Sequence, residues 1–289
     1  MRLLRNISTI ANSKHSLTAL RYIAPAGIFI LIVLLVHREI YSFVMSDANY
    51  SADVGRLHSA AVPKWADTSD YRVITMDVLN TLDDKFVEDV YNKLGEDAWI
   101  RKIISVERRY PNYAVAKVEL RQPFVAVKMG KSYFFVDIDG VRLPGRYTAI
   151  PKEYKGMQVA IGVNGAIPTA GKKWLADEVS AAVELAGVIY KNKSTFSNIN
   201  VSAIDVSNIN GRIDRRRSEI VLKTDNGADI YWGRTPSTKM FGEISVEEKL
   251  KNLNMLTRVY PKLAGVKYSK LYLKGGPAVA ETGVGMAGR

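Results

Sequence analysis

The chain has 289 residues, 47% of them apolar, a formal net charge of +12 and no cysteine. These figures permit a sizeable core in one or two domains and exclude disulfides and thiolate metal sites. The three histidines, His15, His37 and His58, all precede residue 59, which excludes imidazole catalysis, Ser-His-Asp hydrolysis and His-ligated zinc from everything downstream.

The first element is an apolar run. Residues 22–36 read YIAPAGIFILIVLLV without a charge, and Arg2, Arg5, Lys14 and Arg21 precede them with no acidic residue among them. A span needs about 20 residues, so the helix is expected to extend past the run, with Arg21, Arg38 and Glu39 snorkelling to the interfaces. The expected transmembrane segment is 21–44, with Tyr22, Ile28, Phe29, Leu34 and Val36 in the span. The basic flank predicts a cytoplasmic tail over 1–20. A cleaved signal peptide competes for the same run, but His37-Arg38-Glu39 follows Val36 in place of a small-x-small site.

Residues 45–69 are rich in Ser, Ala and Asp and read as a linker. Residues 71–79 alternate as a strand, and Asn80 to Asp84 supply caps for a helix whose Phe86, Val90 and Leu94 share one face, ending at Gly95. Strands follow at 103–108 and 113–120 around a turn at Tyr110-Pro111-Asn112, then at 125–129. Within 113–120, Ala116, Val118 and Leu120 form the expected inward face.

The larger part opens with a strand at 133–137 and a turn at Asp139-Gly140 into 141–143. A strand is expected at 157–161 and a helix over 172–190, with Trp174 and Leu175 on its apolar side. Strands at 199–206, 218–223 and 228–232 follow, the last two joined by Asp225-Asn226-Gly227. Ser245 and Glu248 form a capping box that opens a helix to Tyr260, and 266–273 is the last predicted strand. Residues 275–289 read as a disordered tail. The elements add up to an α+β chain: one transmembrane helix, a small β-α-β-β domain over 70–130, and a mixed β domain with two helices over 131–274.

Three motifs invite chemistry. Asp137-Ile138-Asp139-Gly140 opens like a calcium loop but lacks the later ligands, so it reads as a turn. Arg215-Arg216-Arg217 fits an anion site or a solvated loop, and the latter is the simpler reading. Lys267 to Tyr272 interleaves bases with aromatics, which suits nucleic acid, yet an edge strand guarded by Lys explains it as well. No catalytic, cofactor or metal residue emerges.

The segment 99–140 carries a resemblance. Its Trp99-Ile100, Val106-Glu107-Arg108-Arg109-Tyr110-Pro111, Arg121-Gln122-Pro123-Phe124-Val125-Ala126 and Val136-Asp137-Ile138-Asp139-Gly140 resemble the FtsQ/DivIB family of bacterial cell-division proteins. The chain departs from the pattern in leaving almost no room for a second helix between Gly95 and Trp99, and in closing on Leu-Tyr-Leu-Lys at 271–274. The resemblance implies that 70–130 is a POTRA-like domain. It also implies a non-enzymatic, bitopic divisome scaffold of the cytoplasmic (inner) membrane, its large domain outside the cytoplasm. The implied partners are FtsB/FtsL-like division proteins besides membrane lipid, with no cofactor, nucleic acid or small-molecule substrate. A final open strand suits β-augmentation, which nominates Tyr268, Lys270, Leu271, Tyr272, Leu273 and Lys274 as the partner-binding residues. The rival reading is a membrane-anchored binder of an anionic polymer, cell wall or nucleic acid, using the basic surface.

Overall fold

The computed structural model describes residues 14–52 and 79–281. The apolar run grows into a helix, Lys14–Met45 (α1), of which the 24 residues Tyr22–Met45 are long and apolar enough to cross a membrane. At 1.5 Å per residue that segment extends about 36 Å, more than a hydrocarbon core of about 30 Å. Tyr22, Ile28, Phe29, Leu34 and Val36 are all exposed on it.

The described residues divide into two units, 14–52, 79–92 and 105–116 forming the first and 93–104 and 117–281 the second. In the first, Ser51–Ala52 (β1) pairs antiparallel with Leu79–Asn80 (β2), so the expected linker contains a short strand. The strand expected over 71–79 lies outside the described residues except for Leu79. Thr81 is buried, its amide donating to the Tyr50 carbonyl at 2.8 Å and its hydroxyl in reach of the Pro111 carbonyl. Asx turns at Asn80 and Asp83 lead into Phe86–Gly95 (α2), which buries Phe86, Val90 and Leu94 as its periodicity demands. Arg108 lies 5.5 Å from the Phe86 ring centroid and donates to the Asp83 carbonyl at 2.6 Å.

Ile100–Arg109 (β3) and Tyr113–Leu120 (β4) pair as a hairpin around the Tyr110-Pro111-Asn112 turn. One helix, α2, separates β2 from β3. Ala114 is buried on β4, and Ala116, Val118 and Leu120 are half-buried between exposed Lys117 and Glu119, which is the expected inward face.

The second unit is built on an eight-stranded sheet in the order β12-β11-β10-β9-β8-β7-β5-β6. Its strands are Val125–Met129 (β5), Ser132–Val136 (β6), Val159–Ile161 (β7), Val201–Asp205 (β8), Ile220–Thr224 (β9), Asp229–Gly233 (β10), Val266–Lys270 (β11) and Ala278–Glu281 (β12). The strand at 125–129 was expected in the small domain. It pairs instead with β6 and, in parallel, with β7. Val125, Ala126 and Val127 are all buried, the unbroken apolar run of a strand covered on both faces.

Two helices, Asp177–Lys191 (α3) and Val246–Val259 (α5), are joined in one core with the sheet through Val179, Leu185, Leu253 and Leu256 against Ile204, Leu222, Ile230 and Trp232. The short helix Lys193–Phe196 (α4) adds Phe196. The helix expected from residue 172 starts later: Lys173 bridges to Val141, the Trp174 amide donates to the Gly140 carbonyl at 2.9 Å, and Leu175 is 84% exposed. Trp174 is buried against Phe134 from an extended segment, and its apolar side chain mimics a helical position that the backbone does not adopt. Ser245 caps α5 through the reciprocal box with Glu248.

A second cluster, Trp99, Ala126, Phe135 and Leu143, covers the opposite sheet face at the β5–β6–β7 end. Toward β9, β10 and β11 that face carries half-buried Val221, Lys223, Tyr231, Tyr268 and Lys270.

Candidate functional site

Three of the four segments that carry the resemblance, those at 99–100, 121–126 and 136–140, meet in one structural clamp. Arg121 donates to Asp137 Oδ2 at 2.6 Å, and Asp137 Oδ1 accepts from the amides of Asp139 at 2.9 Å and Val141 at 2.8 Å. The Arg121 amide donates to the Trp99 carbonyl at 2.8 Å. Arg101 reaches Asp139 at 2.7 Å and Glu119 at 2.7 Å, and its guanidinium holds the Asp139 carboxyl below its ordinary value. Gly140 takes φ +74°, a left-handed conformation that favours glycine at the turn. Asp137 is 1% exposed and its oxygens face donors of the chain itself, so the motif serves as a turn and clamp.

The predicted partner-binding strand is rearranged. It was expected over 266–273 with an open edge, but β11 ends at Lys270 and is paired on both sides, in parallel with β10 and antiparallel with β12. Tyr268 faces Asp229 on one side and Ala280 on the other, and Lys270 faces Tyr231 and Ala278. Leu271 is fully buried in the main core, so it is not a surface contact. Tyr272, Leu273 and Lys274 lie in the turn after β11. Asn252 of α5 donates its amide to the carbonyls of Leu271 at 2.8 Å and Leu273 at 3.0 Å, and so withdraws these acceptors from strand pairing.

The outer strand of the sheet is β12, four residues of the tail expected to be disordered. It is anchored at its far end by the Tyr260 hydroxyl, which donates to Glu281 Oε1 at 2.6 Å; that hydrogen bond also raises the phenol pKa. Among the described residues nothing pairs with its outer side. At the other end of the sheet, β6 is bridged by Tyr147 and Arg142 along its free side. Among the described residues, the open edge of the sheet therefore belongs to β12.

Beside that edge lies an open sheet face. Tyr231 and Tyr268 meet edge to face at 5.4 Å, and a cleft of about 510 Å³ over them is also lined by Tyr272, Lys270, Arg216 and Arg217. Lys223 in the same cleft is paired with Asp229 at 2.7 Å. The predicted residues Tyr268, Lys270 and Tyr272 therefore share this face, whereas Leu271 points into the core. Sequence reasoning missed Ala278, Val279 and Ala280 because Ala and Glu are weak strand formers. The only local signal was the Gly275-Gly276-Pro277 punctuation before them.

Behind the edge, Lys249 of α5 is 1% exposed, lies 4.9 Å from the Trp232 ring centroid and is ion-paired with Glu243. Burial lowers the Lys249 pKa, and the Glu243 carboxylate opposes that shift. Glu243 also accepts from the Arg234 amide at 3.0 Å. A Cβ on Gly233, at φ +101°, would lie 2.4 Å from Glu243 Oε1 and 2.9 Å from Tyr272 Cβ, so this close approach requires glycine.

No protein-family model matches the chain, and no curated protein matches it significantly. Among the described residues, the fold and site define a mixed α+β chain with one apolar helix long enough to span a membrane and a sheet-rich unit with one open edge.

Proposed function

We propose that this chain is a non-enzymatic, single-span membrane scaffold of the FtsQ/DivIB type, its N-terminus in the cytoplasm and its sheet-rich unit outside it. It serves cell division at the cytoplasmic (inner) membrane by capturing FtsB/FtsL-like bitopic partners. The small part built on α2, β3 and β4 corresponds to a POTRA-like domain with one helix in place of two. The observation that carries the docking mode is the outer edge of β12, unpaired among the described residues. A partner strand added there completes the ladder through backbone hydrogen bonds. Side chains of the partner then reach the adjoining face of Tyr231, Tyr268 and Lys270. Aromatic and basic residues at such a face suit an interface hot spot.

The test uses the full chain in its membrane. A photo-crosslinking residue at Ala278, which is exposed, is expected to yield adducts with small single-span partners. Proline at Val279 or Ala280 removes a ladder donor and is expected to abolish co-purification from at least one of the two positions, with β5 to β10 still folded. Retention of the partners by both proline variants would refute strand addition. A protease-accessibility or fusion-reporter assay at Arg289 checks the topology, and a mature N-terminus starting after the apolar helix would refute the anchor.

A second reading has its own observation. The cleft over Tyr231 and Tyr268 joins ring faces to Arg216 and Lys270, a composition that also suits an anionic polymer of the cell wall or a nucleic acid. Steep loss of binding with salt favours this reading, and a salt-tolerant stoichiometric complex favours the scaffold.

A further inference from the structure

Two loops of the sheet-rich unit bring a cationic cluster and a fully exposed aromatic prong together. The first loop precedes β9 and carries Arg215, Arg216 and Arg217, all exposed. It is not slack. The side chain of Asn208, itself buried, accepts from the amides of Ile213 and Asp214 at 2.9 Å each and donates to the carbonyls of Asp214 at 2.9 Å and Ser218 at 3.1 Å. One amide thus closes the loop and fixes the base from which the three arginines project.

The second loop joins β10 to α5. The buried Lys249–Glu243 pair, the Arg234 amide bond to Glu243 and the Thr235–Thr238 hydroxyl contact at 2.7 Å hold it. At its tip Phe241 is fully exposed and Met240 is 58% exposed, with exposed Lys239 beside them. Arg215, Arg216, Arg217, Arg234 and Phe241 line one shallow cleft of about 230 Å³. Glu219 and Glu243 in that cleft are already engaged, with Arg234 at 3.4 Å and with Lys249. Among the described residues, the guanidinium groups of Arg215 and Arg216 have no ion-pair partner.

We propose that this double loop is a lipid-contacting prong: Phe241 and Met240 enter the interfacial layer of an anionic membrane while Arg215 and Arg216 engage lipid phosphates. Charge complementarity selects the anion, and shape selects its source. A glycan or peptide would be gripped by rings lining a cleft, whereas Phe241 projects free, as an interfacial anchor does. Basic residues near an anionic leaflet contribute to binding individually, so a cluster suffices for a reversible contact. This contact rests on the membrane reading above.

The test exploits the lack of cysteine. Full-length chain with Phe241→Cys carries a single environment-sensitive dye at the tip. It is reconstituted in nanodiscs of phosphatidylcholine alone, and in discs in which a third of the lipid is phosphatidylglycerol. The expected result is blue-shifted emission, quenched by nitroxide-labelled lipid, in the anionic discs only. Arg215→Gln with Arg216→Gln is expected to weaken the contact about fivefold per residue, roughly 25-fold for the pair. Both changes sit on an exposed loop, and an unchanged melting curve excludes misfolding as the cause. Water-like emission in both disc types, with the chain co-eluting with the discs, would overturn the prong and leave the anchor intact. Retention on anionic discs with loss from neutral ones would overturn the anchor and support the prong. A blue shift given by soluble polyglutamate but not by discs would assign the cluster to an acidic partner and overturn the lipid.

Discussion

The clamp at Asp137 makes an asymmetric prediction. Asp137 is 1% exposed and accepts three hydrogen bonds, whereas the Arg121 side chain is 15% exposed and its Nε has no partner. Asp137→Asn keeps the shape, and Oδ1 can still serve the amides of Asp139 and Val141. It turns an amide NH₂ toward the Arg121 guanidinium and leaves that half-buried charge with only Asp139, at 4.0 Å, as its counter-ion. Breaking a buried pair from one side costs about 3–5 kcal/mol. Against a stability of about 5–15 kcal/mol this lowers Tm by roughly 10 °C or more. Arg121→Met is expected to cost less, because Asp137 retains two amide donors and a buried unpaired N–H disappears. Combining the two changes is expected to recover part of the Asp137→Asn loss, a coupling that a double-mutant cycle isolates. The assay is denaturant unfolding of the full chain in detergent micelles, followed by the fluorescence of Trp99, Trp174 and Trp232, all buried. An Asp137→Asn variant within about 0.5 kcal/mol of the parent, or an Arg121→Met variant that is the more damaged of the two, would refute the reasoning.

Four further outcomes follow from packing and charge. Val118→Asp places a carboxylate on the half-buried inward face of β4 and is expected to cost about 1–3 kcal/mol, read as a lowered midpoint in the same unfolding assay. Gly233→Ala meets both a left-handed backbone and the close approach of Glu243 and Tyr272, so a loss of about 1–3 kcal/mol is expected, and an unchanged Tm would remove the argument for this glycine. Asn252→Ala strands the Leu271 and Leu273 carbonyls at a cost of about 1–3 kcal/mol, and faster amide exchange at Val279 is expected because the turn into β12 loosens. Lys249 has a folded-state pKa below its ordinary value of 10.5, so the unfolded chain binds more protons between the two values. Its stability contribution is complete above 10.5 and is lost as pH falls through the lowered value. Relative to Lys249→Met the parent should therefore gain stability as pH rises toward 10.5, and a pH-independent difference would count against the burial.

Local signals were sufficient where a residue's environment is set by its neighbours in the chain. The apolar run gave α1, the alternation of 113–120 gave β4, Ser245 and Glu248 gave the start of α5, and Asp225-Asn226-Gly227 gave the turn between β9 and β10. The signals misled where environment is set at a distance. Trp174 reads as a helical core position, yet Phe134 and the Gly140 carbonyl hold it in an extended segment. Nothing in the local sequence marks Lys249 as buried, yet Glu243 and Trp232 enclose it.

By itself, then, the sequence determined the single apolar helix, the α+β alternation and the absence of imidazole and thiol chemistry beyond residue 58. Only the tertiary structure decided which strands are neighbours, that Arg121 and Asp137 form a clamp, and that the open edge is Ala278–Glu281 and not the strand before it. The physical reason is that hydrophobic period and capping chemistry act within a few residues, whereas a strand's partner is a choice among distant segments. Four residues of weak β-propensity become a strand because β11 offers them a ladder.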